Sequence, residues 1–194
     1  MNNFTGKMWT CGGPEIISTY DALRWLAAEV KPASYLEIGV SGGRSMQTIF
    51  EIHRPDRMVL CDLWDPNQTW GGSGNTNHRH ISDWLYARGY PDSSVRFLDG
   101  DSKVLIPTLK EQFELILVDG NHSAEGALQD LINCWPLLSP NGIMILDDVA
   151  HPSYPGVALA FTQFISCTPD VDFVMESRRV WWHRVALMCK RTGL

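Results

Sequence analysis

Acidic residues stand at the ends of three apolar runs of the chain: Asp62 closes Met58 to Asp62, Asp119 closes Leu115 to Asp119, and Asp147, followed by Asp148, closes Ile143 to Asp147. Carboxylates brought together repel and raise one another's pKa unless a cation or a hydrogen-bond network compensates. Asp119, Asp147 and Asp148 are thus candidate ligands of a divalent ion, and oxygen donors without a nearby thiolate favour magnesium, calcium or manganese over zinc. The alternative is that Asp147 or Asp148 only caps the segment that follows. His122 lies three residues after Asp119, and an imidazole, which titrates near neutrality, can take a proton. Asp119 and His122 are the candidate catalytic pair, with a second role for His122 as a supporting or metal-binding histidine left open. His151, three residues beyond Asp148, is a further candidate for the same region or a solvated loop residue.

A second group of residues is suited to binding. The run Tyr35-Leu36-Glu37-Ile38-Gly39-Val40-Ser41-Gly42-Gly43-Arg44-Ser45 passes from an apolar stretch into a glycine-rich turn. Gly39 and Gly43 permit a tight turn and close backbone approach, and a helix opening near Arg44 turns free N–H groups toward a polar ligand. The glycines do not fall as GxGxxG, which argues against nicotinamide dinucleotide binding and a dehydrogenase. Asp62 can accept both hydroxyls of a ribose, or serve as a local cap. A third apolar run ends in Leu98-Asp99-Gly100-Asp101-Ser102, where Ser102 is a candidate N-cap.

These residues need a scaffold that presents strand ends side by side. Short branched-rich runs at 35–40, 58–62, 95–98, 115–119 and 143–147 alternate with helix-period segments at 44–54, 78–88, 102–112, 124–136 and 155–166. That alternation marks a mostly parallel sheet covered by helices, an α/β fold. Ile16, Ile17, Tyr20, Leu23, Leu26 and Ala27 recur at helical spacing, so residues 1–31 form a helical segment ahead of a core over 35–194. Val171 to Glu176 and Val180 to Cys189, parted by Ser177-Arg178-Arg179, read as a C-terminal antiparallel hairpin. The irregular stretch from Trp64 to Asn75 is long for a compact domain and reads as a lid or a mobile surface loop.

Together, the repeats and the terminal hairpin resemble the Rossmann-like, seven-stranded sheet of the class I S-adenosylmethionine-dependent methyltransferases, with helices on both faces, over nearly the whole chain. Glu37-x-Gly39-x-x-x-Gly43 resembles their first motif, and Ser45 matches a serine that helps hold the methionine carboxylate. Gly100-Asp101-Ser102 resembles the turn that lines the adenine in the catechol-type O-methyltransferases, and Asp119-Gly120-Asn121-His122-Ser123-Ala124-Glu125-Gly126 resembles the DGxHxxxG pattern of a bacterial branch acting on sugars and natural products. The resemblance implies S-adenosyl-L-methionine held by Glu37, Gly39, Ser41, Gly43, Ser45, Asp62, Asp101, Ser102 and Asp119. It also implies a divalent ion, magnesium foremost, at Asp119, Asp147 and Asp148. In the catechol-type enzymes an acid–amide pair follows the fifth strand and a lysine stands at the position of His122; here the pair is Asp147-Asp148, which adds negative charge.

The 194 residues suit one domain, and a formal charge of -6 gives no footprint for a polyanion, so nucleic acid is not an expected partner. Five cysteines without a CxxC pair suit a reducing compartment, and neither a signal sequence nor an apolar stretch of spanning length is read, so a cytoplasmic location without membrane contact is expected. The expected partner is a small hydroxylated acceptor, with a second copy of the chain a candidate to complete its pocket. Methylation of a hydroxyl with ion assistance is the leading expectation. Metal-independent N- or O-methylation and a non-catalytic cofactor-binding protein on the same fold are the alternatives.

Overall fold

The computed structural model describes residues 18–64, 77–176 and 185–190. In chain order the elements are α1 (Thr19–Glu29), β1 (Ser34–Ile38), α2 (Arg44–Phe50), β2 (Arg57–Asp62), α3 (Arg79–Tyr86), β3 (Val95–Asp99), α4 (Ser102–Leu105), β4 (Phe113–Val118), α5 (Ala124–Cys134), β5 (Leu138–Leu146), α6 (Pro155–Cys167), β6 (Val171–Glu176) and β7 (Ala186–Lys190). The strands form one sheet in the order β3-β2-β1-β4-β5-β7-β6. β1 pairs in parallel with β2 and β4, β2 with β3 and β4 with β5, whereas β7 runs antiparallel to both β5 and β6. The mostly parallel α/β sheet with a C-terminal antiparallel pair is therefore as the alternation in the sequence implies.

Two apolar cores lie on opposite faces. Leu36, Ile116 and Val118 join α5 and α6 residues such as Leu131, Ala160 and Phe161 in one. Tyr35, Leu115 and Leu117 join Leu23 and Leu26 of α1, Ile49 of α2 and Ile81 of α3 in the other. Adjacent residues of one strand point to opposite faces, so strands covered on both sides are apolar at nearly every position. This is why β1 and β4 read as near-continuous apolar runs, interrupted by Ser34 and Glu37 in β1 and by Glu114 in β4. Fully burying each such Leu or Ile contributes about 1.5–3 kcal/mol, and the continuity of the runs is what holds the strand ends in place. Cys61, Cys134 and Cys189 are buried among these residues, and burial lifts the Cys61 thiol to about 12.

Several boundaries differ from the sequence expectation for local reasons. The helix expected over 102–112 is a single α-turn followed by a 3-10 turn at Ile106–Thr108, because Pro107 has no N–H to continue the ladder. The helix expected over 44–54 ends at Phe50. β5 starts earlier than expected, at Leu138, passing through Asn141 at φ 63. The last strand is described over Ala186–Lys190, and the part of the expected run from 180 to 184 lies outside the described residues. Ile16, Ile17, the stretch 65–75 read as a lid or a surface loop, and the hairpin turn at 177–179 lie outside the described residues. Among the described residues no helix is long and apolar enough to cross a membrane.

Sheet order places the site. The chain leaves β1 toward β2 on one side, while β4 lies on its other side, and in such a sheet ligands bind beyond the strands' C-terminal ends where the order reverses. Ile38 is in register with Val118, and Val118 with Leu146, so Gly39, Asp119 and Asp147 emerge side by side.

Candidate active site at the strand ends

The glycine-rich turn is stitched to both neighbouring strands. Gly39 N–H donates to the Cys61 carbonyl at 3.0 Å, and Asp119 N–H donates to the Ile38 carbonyl at 2.9 Å. Gly39 has φ 84, and a Cβ there would lie 1.9 Å from the Asp119 carbonyl oxygen, so both conformation and space demand glycine. The backbone amide of Ser41, itself at φ 49, donates to Asp62 Oδ2 at 2.8 Å. Trp64 N–H donates to Asp62 Oδ1 at 2.7 Å. Asp62 thus presents a carboxylate pinned through both oxygens, with Leu63 beside it 55% exposed. Gly43 is the N-cap of α2 at φ 75, and Ser45 is buried in its first turn.

Beneath the turn lies Glu37, 0% exposed. The Tyr35 hydroxyl donates to its Oε2 at 2.9 Å, while Oε1 has no hydrogen-bond partner. Burial, opposed by that hydrogen bond and reinforced by the Asp119 and Asp62 charges, raises its carboxyl well above the usual range.

The turn after β3 assigns its capping differently from the sequence reading. Asp101, not Ser102, is the N-cap of α4, accepting from Lys103 N–H at 2.9 Å. Ser102 donates its hydroxyl to Asp130 Oδ1 on α5 at 2.6 Å. Asp130 is 1% exposed, and burial, offset in part by the Ser102 hydrogen bond, raises its carboxyl to about 6. Sequence reasoning missed Asp130, whose only signal was an acid at a buried helical position.

Beyond β4 and β5 a second cluster forms. His122 Nε2 lies 3.1 Å from Asp148 Oδ2 and 3.6 Å from Asp119 Oδ1. One donor atom from each of Asp119, His122 and Asp148 falls within 4.8 Å of the others. His122 thus joins two of the three carboxylates expected from sequence, and the third, Asp147, lines the adjoining cavity with Asp119 and His122. Asp147 Oδ1 accepts from the Asp148 amide at 2.7 Å, and Asp148 adopts φ 56, in the left-handed region that residues other than glycine seldom occupy. Asp147 still acts through its charge. Burial and the facing Asp147 carboxylate push Asp119 up to about 7, against the pull of His122.

For His122, burial works to lower the pKa, but the Asp119 and Asp148 carboxylates outweigh it and lift it to about 9. With no ion bound, the imidazole therefore keeps its proton at neutral pH, and its expected role as a base requires that the facing negative charge first be offset.

Local sequence positions this histidine. Ser123 caps α5, its hydroxyl accepting from Gly126 N–H at 3.0 Å, an interaction that stabilises by about 1 kcal/mol. A Cβ on Gly126 would lie 2.3 Å from the Asn121 side chain, which accounts for glycine there. Tyr154, just ahead of α6, packs its ring on His122 at 4.4 Å and on His151 at 4.5 Å. Burial and the Asp148 and Asp119 charges hold its phenol above the ordinary value. Burial, countered by Arg44 over its ring at 4.5 Å, and the charges of Asp119, Asp147 and Glu37 likewise raise the pKa of Tyr20 on α1. Tyr154 and Tyr20 were not legible as site residues. A small cavity next to the cluster is lined by Asp119, Asn121, His122, Ala127, Asp147 and Val157.

Residues 36–149 match the model of a family described as a methyltransferase domain. Comparison with curated proteins returned no match. Similar solved structures include the SAH-bound methyltransferase PaMTH1 of Podospora anserina, with 22% identity, 89% of this chain and 78% of that chain covered, and a TM-score of 0.68. The SAM complex of the O-methyltransferase TomG of Streptomyces achromogenes, involved in tomaymycin synthesis, is 18% identical, with 92% and 82% covered and a TM-score of 0.67. The O-methyltransferase NovP is 20% identical, with 90% and 79% covered and a TM-score of 0.68. At these identities the likeness is one of fold, and the match over 36–149 decides the family: the chain belongs to the methyltransferase-domain family.

Proposed function

We propose that this protein transfers the methyl group of S-adenosylmethionine to a hydroxyl of a small molecule, with a divalent ion assisting. The observation that carries the reading is the juxtaposition, on adjoining strand ends, of the glycine turn closed over Asp119 and the cluster of Asp119, His122 and Asp148. The donor half is supported by Glu37, whose buried Oε1 lacks a partner behind the turn, and by the pinned Asp62 carboxylate suited to a ribose diol. In this reading Gly39, Ser41, Gly43 and Ser45 shape the methionine end, and Asp101 borders the base. Ser102 contributes through its backbone, since its hydroxyl serves Asp130.

Two carboxylates and an imidazole whose donor atoms converge suit a divalent cation. Such an ion would lower the pKa of a bound hydroxyl and so supply a nucleophile at neutral pH. The chain's own residues do the rest: Asp119 and Asp148 hold negative charge at the site, His122 supplies a nitrogen donor or proton acceptor, and Tyr154 fixes the His122 ring. The displacement at the activated methyl needs only alignment of acceptor and donor. Support for O-methylation over N-methylation comes from TomG and NovP, both described as O-methyltransferases. A small acceptor, a cytoplasmic location and assembly of two copies around the pocket belong to the same reading.

The test is transfer of labelled methyl from S-adenosylmethionine to a panel of hydroxylated small molecules, before and after exhaustive chelation. Transfer that chelation abolishes and a divalent ion restores supports the reading. Full activity without metal leaves the ion out of it, and incorporation into amines alone, or none, removes O-methylation.

A further inference from the structure

We infer that Asp99 is a positioning residue for the cofactor: through the Trp64 indole it holds Asp62 in the orientation that receives the ribose, without serving as a ribose acceptor itself. The inference rests on the reading of Asp62 as that acceptor.

Two acids stand side by side at this corner of the sheet. Asp62 closes β2, Asp99 closes β3, and the two are in register. Neighbouring strands lie about 4.8 Å apart, so either acid is within reach of the same ligand, and their partners separate the roles. Asp62 accepts backbone amides, from Ser41 at 2.8 Å and from Trp64 at 2.7 Å. Asp99 Oδ1 accepts the Trp64 indole N–H at 2.8 Å and lies 2.9 Å from His78 Nδ1.

Trp64 links the two carboxylates. Its backbone stands at φ 51, in the left-handed region, where a bulky residue stays only if its surroundings hold it. The side chain supplies that hold. It is buried, 6% exposed, in the core that carries Leu60, Ile81 and Leu85, and its one polar atom ends on Asp99. With the indole fixed there, the amide of the same residue is fixed against Asp62 Oδ1. A carboxylate set in this way before the ligand arrives needs little ordering when a diol binds.

Asp99 is anchored in turn. His78, just ahead of α3, stacks on Phe97 of β3 with ring centroids 4.1 Å apart and planes inclined by 10°. The Asp99 side chain is half exposed, so its pairing with His78 contributes little energy and serves to orient the carboxylate. The indole bond carries more, because a buried N–H left without an acceptor is costly.

The experiment measures binding of S-adenosylhomocysteine and of its 2′-deoxy analogue to the full chain by calorimetry. Wild type should favour the ribose form at least about tenfold, the worth of a hydrogen bond to a charged acceptor. In Asp99→Ala and in Trp64→Phe that preference should fall below about threefold, and the double variant should fall no further, because the two residues act in series. Asp99→Asn keeps an oxygen that accepts from the indole, so its preference should stay within about twofold of wild type. The Trp64 indole N–H resonance in NMR, identified by its absence in Trp64→Phe, should shift in Asp99→Ala and return close to its wild-type position in Asp99→Asn. Where Asp99→Ala fails to fold, Trp64→Phe decides. Equal weakening of both ligands, or of neither, with the ribose preference intact in the variants overturns the inference while leaving Asp62 as the ribose acceptor. A wild-type chain that shows no ribose preference, or binds neither ligand, overturns both.

Discussion

Gly39 and Asp119 are locked together: the amide of Asp119 donates to the carbonyl of Ile38 at 2.9 Å, and a Cβ on Gly39 would meet the Asp119 carbonyl oxygen at 1.9 Å. The turn assigned to the cofactor and the first residue of the acidic cluster are thus one packed unit, and disturbing either moves the other.

Gly39→Ala should accordingly fail on both counts. The φ of 84 is strained for any L side chain and the added carbon has backbone on its far side. A loss of roughly 2–4 kcal/mol in urea-denaturation stability is expected, with S-adenosylhomocysteine binding undetectable by calorimetry. Wild-type stability and affinity in this variant would show that the turn is not packed as described.

Asp62→Ala should weaken S-adenosylhomocysteine at least about tenfold, since it removes a ribose acceptor and frees the amides of Ser41 and Trp64 that the carboxylate holds. A stability loss of about 1–2 kcal/mol should accompany it. Unchanged affinity in calorimetry would remove Asp62 from the binding site.

Asp130 should leave a mark on the pH dependence of folding. Its folded pKa, about 6, lies above the ordinary 3.8 because of burial, so the native state holds the proton more tightly than the unfolded chain. Stability from this group is present at low pH and is lost as pH rises from about 4 through about 6, by up to about 3 kcal/mol. Glu37, raised for the same reason, slopes the same way, so the informative quantity is the difference between wild type and Asp130→Asn. Denaturation at pH 4.5 and 7.5 should show a smaller fall in the variant. Equal falls would mean that Asp130 is not buried as an acid.

His122 should titrate far from a free imidazole while no ion is bound. Histidine NMR on the chelated protein should place its midpoint near 9, and Asp148→Asn should bring it down toward 6.5, because one of the two carboxylates that favour the imidazolium is gone. A wild-type midpoint at the ordinary value would break the cluster apart.

What the sequence determined by itself is what local pattern encodes. Near-continuous apolar runs require strands covered on both faces, the alternation with helical segments requires a parallel sheet, and Gly39 and Gly43 after such a run require a turn at a strand's end. Acids at the ends of those runs were legible as neighbours along one edge, because residues that follow parallel strands in register emerge at the sheet's C-terminal edge. Only the tertiary structure decided which of them meet. The left-handed kink at Asp148 occurs at a residue that is not glycine, so no residue type announced that Asp148 would join Asp119 and His122. Ser102 and Asp130 are 28 positions apart, and Tyr154 reaches His122 from a different loop. Such contacts depend on how two helices pack over one face of the sheet, a property of the assembled core that no single window of sequence contains.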